Sequence, residues 1–249
     1  MFINRAAFIT WASTVWKQFL DTVFPLFCLG CKRTGFLICQ PCLGQLYLSH
    51  EQRCPQCFIH ITPSGEVCFS CRDTFAPALD GLFVASSYHE PLLTRAIHTY
   101  KYRFIPGLAI PLGQLLRNAL ERSALSLPDA IVPVPLHRRR LRFRGFNQSA
   151  LLAQELSQTL VPGFDIPLLS HVLLRTRFTK PQMKTDSRKE RVNNLKNAFA
   201  LAPDMTPSLR GKYIWLIDDV ATTGTTLEEC ARVLKNHGVT KVFGIVLAH

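Results

Sequence analysis

No apolar run in this chain approaches the roughly 18–20 residues that a membrane-spanning helix requires, which argues against a transmembrane segment. The N-terminal stretch MFINRAAFITWASTVWKQFLDTVFP comes nearest, but Lys17, Gln18 and Asp21 break it. A secretory signal needs an uninterrupted apolar core and a small-residue cleavage site, and neither is clear in it, so none is expected. Val15, Trp16, Phe19, Leu20, Val23 and Phe24 follow helical spacing instead, so residues 1–27 are expected to form an amphipathic helix that packs on the protein or on a partner. Low-complexity tracts are also scarce, and with 47% hydrophobic residues global disorder is not the expectation. Acidic side chains are in short supply. Only 17 Asp and Glu face 29 Lys and Arg, and the formal charge of +12 favours polyanionic partners such as nucleic acid or phosphorylated ligands. The expected location is the cytoplasm, and 249 residues suffice for one or two domains with a sizeable core.

Cysteine, by contrast, is concentrated. Eight of the nine form CxxC pairs: Cys28/Cys31, Cys39/Cys42, Cys54/Cys57 and Cys68/Cys71. Thiolates two residues apart converge on one tetrahedral metal, and two such pairs complete a closed four-cysteine zinc site. Eight ligands suit one or two structural zinc ions, the simplest pairing taking neighbours, although an interleaved pairing has equally suitable spacing. A cytoplasmic chain disfavours disulfides, and four CxxC pairs in series are rarely redox centres. A full shell of four thiolates leaves no open position for catalysis, so the metal role is structural. Cys230 stands apart on the apolar face of the last helix and reads as a core residue.

The densest information lies in KYIWLIDDVATTGTT, residues 212–226. Tyr213 to Ile217 is a continuous apolar run, the pattern of a parallel strand covered on both faces. Asp218 and Asp219 fall at its carboxyl end, the ligand side of an open α/β sheet. Thr222, Thr223, Gly224, Thr225 and Thr226 then turn into a helix whose apolar positions are Leu227, Cys230, Ala231 and Leu234. A Gly/Thr turn feeding a helix N-terminus offers backbone N–H groups and hydroxyls to an anion and reads as a phosphate cradle. The paired carboxylates before it can hold a ribose diol, a magnesium ion, or both.

Two further segments are basic. Strand-like Ala130–Pro135 is followed by a loop with five arginines in seven positions, Arg138, Arg139, Arg140, Arg142 and Arg144, then Gly145, Asn147 and Gln148 at the start of a helix running to about 160. That cluster suits a pyrophosphate or a nucleic-acid backbone, and Asn147 is placed to cap the helix. Residues 175–199 are basic, poor in aliphatics and interrupted by Pro181, which suggests a mobile flap over a site. Phe143 and Phe146 are the obvious candidates for base stacking.

The 212–226 segment resembles the phosphoribosyl pyrophosphate (PRPP) signature of type I phosphoribosyltransferases. That resemblance implies that Asp218 and Asp219, as the catalytic pair, hold the ribose 2′- and 3′-hydroxyls. It likewise implies that Ala221 through Thr226 wrap the 5′-phosphate, with Mg²⁺ accompanying PRPP. Purine-salvage enzymes of this type commonly carry an acidic residue at the first position of the phosphate loop. Here Thr222 stands there, which argues against purine transfer. From about residue 20 to the end the chain resembles the ComF family, some members of which look like the GntX proteins. The likeness rests on IVPVPLHRRRLRFRGFNQ (131–148), on Thr179, Pro181, Gln182, Arg191, Asn194, Ala198 and Phe199, on LIDDVATTGTT (216–226), and on YHEPLLTRAIHTYKYRF (88–104). It implies a double zinc ribbon (28–75) followed by an α/β phosphoribosyltransferase-like domain (81–249) with a doubly wound parallel sheet. It places Gln182, Arg191 and Asn194 in a flexible loop and links the chain to natural competence. PRPP, single-stranded DNA and a competence helicase or other transformation protein are the partners it suggests.

Overall fold

The computed structural model describes residues 25–178, 197–203 and 209–249. Residues 1–24, and Gln182, Arg191 and Asn194 with the rest of 179–196, lie outside the described residues, and with them most of the expected N-terminal helix and the expected loop. The chain divides into two compact units, Met1–Gln45 and Leu46–His249.

In the first unit Cys28, Cys31, Cys39 and Cys42 surround the short helix α1 (Gln40–Gly44), which Pro41 starts. In the second unit β1 (Gln52–Arg53) pairs antiparallel with β2 (Ile61–Thr62), and α2 (Phe69–Phe75) follows. Next come β3 (Gly81–Ser86), α3 (Pro91–Tyr102), α4 (Ala109–Leu120) and β4 (Ala130–Pro133). Helices α5 (Arg138–Arg144) and α6 (Gln148–Thr159) lead to a small antiparallel pair, β5 (Leu173–Arg175) and β6 (Phe199–Leu201). The chain ends with β7 (Tyr213–Val220), α7 (Thr225–Asn236) and β8 (Lys241–Ala248).

The central sheet has the order β3-β8-β7-β4, parallel throughout. Its two inner strands carry long apolar runs, Tyr213–Ile217 in β7 and Val242–Ala248 in β8, as burial on both faces requires. Ile214 and Leu216 join the cluster under α7, which contributes Leu227, Cys230, Ala231 and Leu234. Trp215 and Ile217, one residue out of phase, face the layer built by α4 and α6. Each large side chain so buried contributes ~1.5–3 kcal/mol relative to exposure. Pro133 fits because β4 is an edge strand, where a missing N–H costs no ladder bond.

The other edge, β3, is closed by the second cysteine module. Buried Gln52 donates its amide to the Val84 carbonyl at 3.0 Å and accepts the Val84 N–H at 2.8 Å, standing in for a neighbouring strand. The Leu82 N–H reaches the Gly65 carbonyl at 2.8 Å, and the Val67 N–H reaches Asp80 at 3.0 Å. Gly65 is required there: a Cβ would lie 2.0 Å from the Leu82 oxygen. The second cysteine module therefore belongs to the same compact unit as the sheet.

One local expectation changes. Residues 138–144 form a helical turn rather than a loop. The His137 ring accepts the Arg139 N–H at 3.2 Å, and Gly145 ends the helix at φ +82°. Arginine, leucine and phenylalanine are all compatible with helix, and consecutive arginines conceal the periodicity that would reveal one.

Candidate functional site

Strand β7 continues through both carboxylates to Val220, so Asp218 and Asp219 sit in its last turn of pleat rather than beyond it. The Asp218 carboxylate accepts the Ser149 hydroxyl and the Asp219 N–H, each at 2.9 Å. Asp219, only 6% exposed, pairs with the Lys101 ammonium at 2.9 Å. Burial, together with the neighbouring charge of Asp219, pushes Asp218 up to about 7 despite Lys101 and the two hydrogen bonds. For Lys101 burial works downward, but the carboxylates of Asp219 and Asp218 outweigh it and hold the ammonium above its usual value.

Asn147 places Ser149. Its side-chain oxygen caps the Ser149 N–H at 3.1 Å, while its amide donates to the Val134 carbonyl at 3.0 Å. Helix α3 is fixed against the same corner by the Tyr100 hydroxyl, which donates to the Gln148 carbonyl at 3.1 Å.

These groups line a cavity of ≈ 640 Å³ at the carboxyl ends of all four parallel strands. Tyr88 and His89 follow β3, Val134 to Leu136 follow β4, Asp218 to Thr222 come from β7, and His249 ends β8. Such a volume falls within the range of ligand pockets, and its position is the usual one for open α/β sheets. Across it stand four cations, Lys101, Arg140, Arg144 and Arg175. Burial lowers all three guanidinium groups from their ordinary values, although none approaches neutrality in a protein. Among the described residues the buried Arg144 Nε meets no hydrogen-bond partner, a donor prepared for an anion.

Beside the carboxylates, Ala221 to Thr226 curl into the N-terminus of α7. Gly224 adopts φ +69° with nothing within 4 Å of a would-be Cβ, so backbone conformation alone demands glycine. The Thr223 and Thr225 hydroxyls meet at 2.8 Å. A small concavity lined by Asp218 and Val220 to Leu227 sits within this curl. A helix N-terminus behind hydroxyl-bearing turns is an anion cradle.

Helical geometry divides the arginine cluster. At 100° per residue, Arg140 and Arg144 share one face, which lines the cavity together with Gln148. Arg138, Arg139 and Arg142 point elsewhere and are exposed, as is Phe143 at 77%. Sequence reasoning therefore grouped five arginines of which two line the cavity, and it passed over Lys101, Ser149, Arg175 and His249. Lys101 left a trace, a cation four residues after Ile97 and eight after Leu93 on an otherwise buried stripe. Arg175 opens the basic segment 175–199 expected to cover a site, but its place on the cavity, from the end of β5 paired with β6, is not readable from spacing.

The cysteines assemble in sequence order. Within each of the two groups, Cys28/Cys31/Cys39/Cys42 and Cys54/Cys57/Cys68/Cys71, the four sulfurs lie within 4.8 Å of one another. Four thiols at that spacing suit a tetrahedral zinc ion, and the modules are zinc-ribbon-like. His60 approaches Cys57 at 3.4 Å, but each set is complete without it. Cys230 is buried under the sheet, as its helical position implied. Among the described residues no helix is long and apolar enough to cross a membrane.

A family model described as a phosphoribosyl transferase domain matches residues 147–249, from the cap of α6 to the end of β8. Competence protein F of Haemophilus influenzae is 34% identical over 221 residues, which cover 86% of each chain. DNA utilization protein YhgH of Escherichia coli K12 is 36% identical over 209 residues, 82% of this chain and 87% of that one. Competence protein ComFC of Bacillus subtilis is 26% identical over 212 residues, 81% of this chain and 79% of its own.

Proposed function

This chain belongs to the ComF family, and we propose that it is a cytoplasmic PRPP-binding protein of natural competence that transfers the phosphoribosyl group to an acceptor. The observation that carries this reading is the juxtaposition of the Asp218–Asp219 pair and four cations in one cavity with the small concavity of the Thr222–Thr226 cradle, which shares Asp218, Val220, Ala221, Thr222 and Thr226 with it. PRPP has the matching order of groups: a 5′-phosphate for the cradle, a ribose diol for the carboxylates and a pyrophosphate for Lys101, Arg140, Arg144 and Arg175. In the reaction the bond from the anomeric carbon to pyrophosphate oxygen breaks, the bonding electrons leave with pyrophosphate, and the acceptor bonds to that carbon. Gripping both ends of the donor is positional catalysis, and the cations neutralise the departing charge. Mg²⁺, for which Asp218, Asp219 and the pyrophosphate supply oxygen donors, would spread that charge further.

Calorimetry with PRPP and Mg²⁺ tests the binding claim, and the absence of saturable heat would end it. Release of pyrophosphate in the presence of a panel of nucleobases tests transfer separately. Binding without release with any acceptor would make PRPP a ligand rather than a substrate.

The division of the arginine helix favours a second role on its outer face, the binding of single-stranded DNA. Arg138, Arg139 and Arg142 are exposed on the same short helix as Phe143, whose ring meets Phe104 edge-on at 5.4 Å, giving a basic and aromatic surface outside the cavity. Arg138→Ala with Arg142→Ala is expected to weaken single-stranded DNA binding and to flatten its salt dependence by about two units of slope, with PRPP affinity within about twofold of wild type. Arg140→Ala with Arg144→Ala should instead weaken PRPP by about 100-fold or more, since each charge-assisted contact is worth ~1.5–3 kcal/mol. Equal loss of both ligands in both variants would mean one anion site. DNA affinity that is unmoved by either pair would leave this surface without a role.

A further inference from the structure

The geometry points to the second cysteine module as the outer wall of the phosphate cradle, with Phe58 and Glu228 as positioning residues for the grip on the 5′-phosphate. This inference rests on the PRPP reading of the cavity.

Two contacts and the cleft between them bracket the Thr222–Thr226 curl, all formed with the module or with the segment that leaves it. The first is a ring stack. Phe58 directly follows the Cys54–Cys57 pair and is held in a turn by its N–H to the Cys54 carbonyl at 2.8 Å. It adopts φ +55°, a conformation that bulky side chains rarely take, so the knuckle imposes it. Its ring lies on the His249 ring with centroids 4.2 Å apart and planes 26° from parallel. His249 in turn lines the cavity beside Thr222 and interacts with the Thr222 backbone. Beside it lies a cleft of ≈ 170 Å³ whose walls are Pro55 and Gln56 of the knuckle on one side and Thr223, Gly224 and Thr225 on the other. The second contact is a clasp. The Glu228 carboxylate, in the first turn of α7, accepts the Ala78 N–H at 2.8 Å and the Leu79 N–H at 3.1 Å. It thereby ties the segment leaving the module to the helix whose N-terminus forms the cradle.

Among the described residues nothing lies within 4 Å of a Cβ at Gly224, so the tip of the curl is open on that side. Its position is set by its neighbours, and binding a phosphate through several backbone N–H groups tolerates little displacement of any of them. The cations at the pyrophosphate end come from α3, α5 and β5, which these contacts do not touch. Loosening the wall should therefore weaken one end of the donor selectively.

The test uses the full chain with zinc bound, comparing wild type, Phe58→Ala, Phe58→Tyr and Glu228→Ala by calorimetry. The probes are PRPP with Mg²⁺, ribose 5-phosphate and pyrophosphate. Phe58→Ala and Glu228→Ala should each weaken PRPP and ribose 5-phosphate about 5- to 20-fold while pyrophosphate affinity and zinc content stay as in wild type. Phe58→Tyr, which keeps the stack, should restore binding. Amide hydrogen exchange without ligand should be faster across 221–226 in both alanine variants. Unchanged exchange overturns the inference, as does an equal loss of pyrophosphate binding. If wild type binds none of the three probes, the PRPP reading fails on its own, and the exchange measurement still decides whether the module braces the curl.

Discussion

Alanine at both Asp218 and Asp219 is expected to lower PRPP affinity by about 100-fold or more while leaving the fold intact. Each carboxylate can accept charge-assisted hydrogen bonds from a ribose hydroxyl or hold a divalent ion, at ~1.5–3 kcal/mol per contact. Neither residue packs the core, since both stand at the carboxyl end of β7 where the strand opens into the cavity. The double substitution removes the Asp219 partner of Lys101 but also the repulsion between two adjacent carboxylates, so the stability terms oppose one another. Calorimetry on the double variant checks the result, and an unchanged affinity would remove the pair from the site.

The same carboxylates make a statement about stability. Asp218 titrates near 7 in the fold against an ordinary value of 3.8, so the native state holds this proton more tightly than the unfolded chain does. Its contribution is fully present below about pH 3.8, is lost as pH rises and is gone above about 7. Asp218→Asn lacks this dependence. Relative to that variant, the ligand-free wild type should lose roughly 8–17 °C of melting temperature between pH 4 and pH 8. Parallel melting curves across that range would mean that Asp218 ionises in the fold as it does in solution.

Serine at both Cys54 and Cys71 is the second change of large expected effect. Both sulfurs are buried, and together they supply half of one tetrahedral set. Structural zinc contributes ~10–16 kcal/mol of apparent binding free energy, so loss of the ion should dissolve the module. The damage should spread. Gln52, Gly65 and Val67 would leave β3, exposing polar backbone along the edge of the main sheet. We expect a fall of about 10 °C or more in the main thermal transition. Cys28→Ser, in the other compact unit, should release zinc with a shift of only a few degrees in that transition. Metal analysis should return about two zinc ions for wild type and about one for each variant. A folded, metal-free wild type, or equal shifts from both variants, would refute this account.

Local pattern made several features legible. A five-residue apolar run flanked by two aspartates and a Thr/Gly turn identified β7 and the start of α7, because a strand buried on both faces must be apolar throughout. The 3.6-residue period placed Leu227, Cys230, Ala231 and Leu234 under the sheet, and Asn147 announced the cap of α6. The arginine segment misled because periodicity disappears when nearly every position carries the same charge, and a loop was expected where a short helix forms.

By itself, then, the sequence determined the parallel strand β7, the adjacent carboxylates, the Thr/Gly turn and the four CxxC pairs, all of which rest on residues close along the chain, where spacing alone implies proximity; which pairs share a site was decided by the fold. Only the tertiary structure decided which arginines face the cavity, that Lys101 meets Asp219, that Arg175 arrives from a separate hairpin, and that the second cysteine module closes the β3 edge and stands against the cradle. Those pairings join residues far apart along the chain. They are settled by the order of strands in the sheet and by the burial of apolar faces, which no local run of residues records.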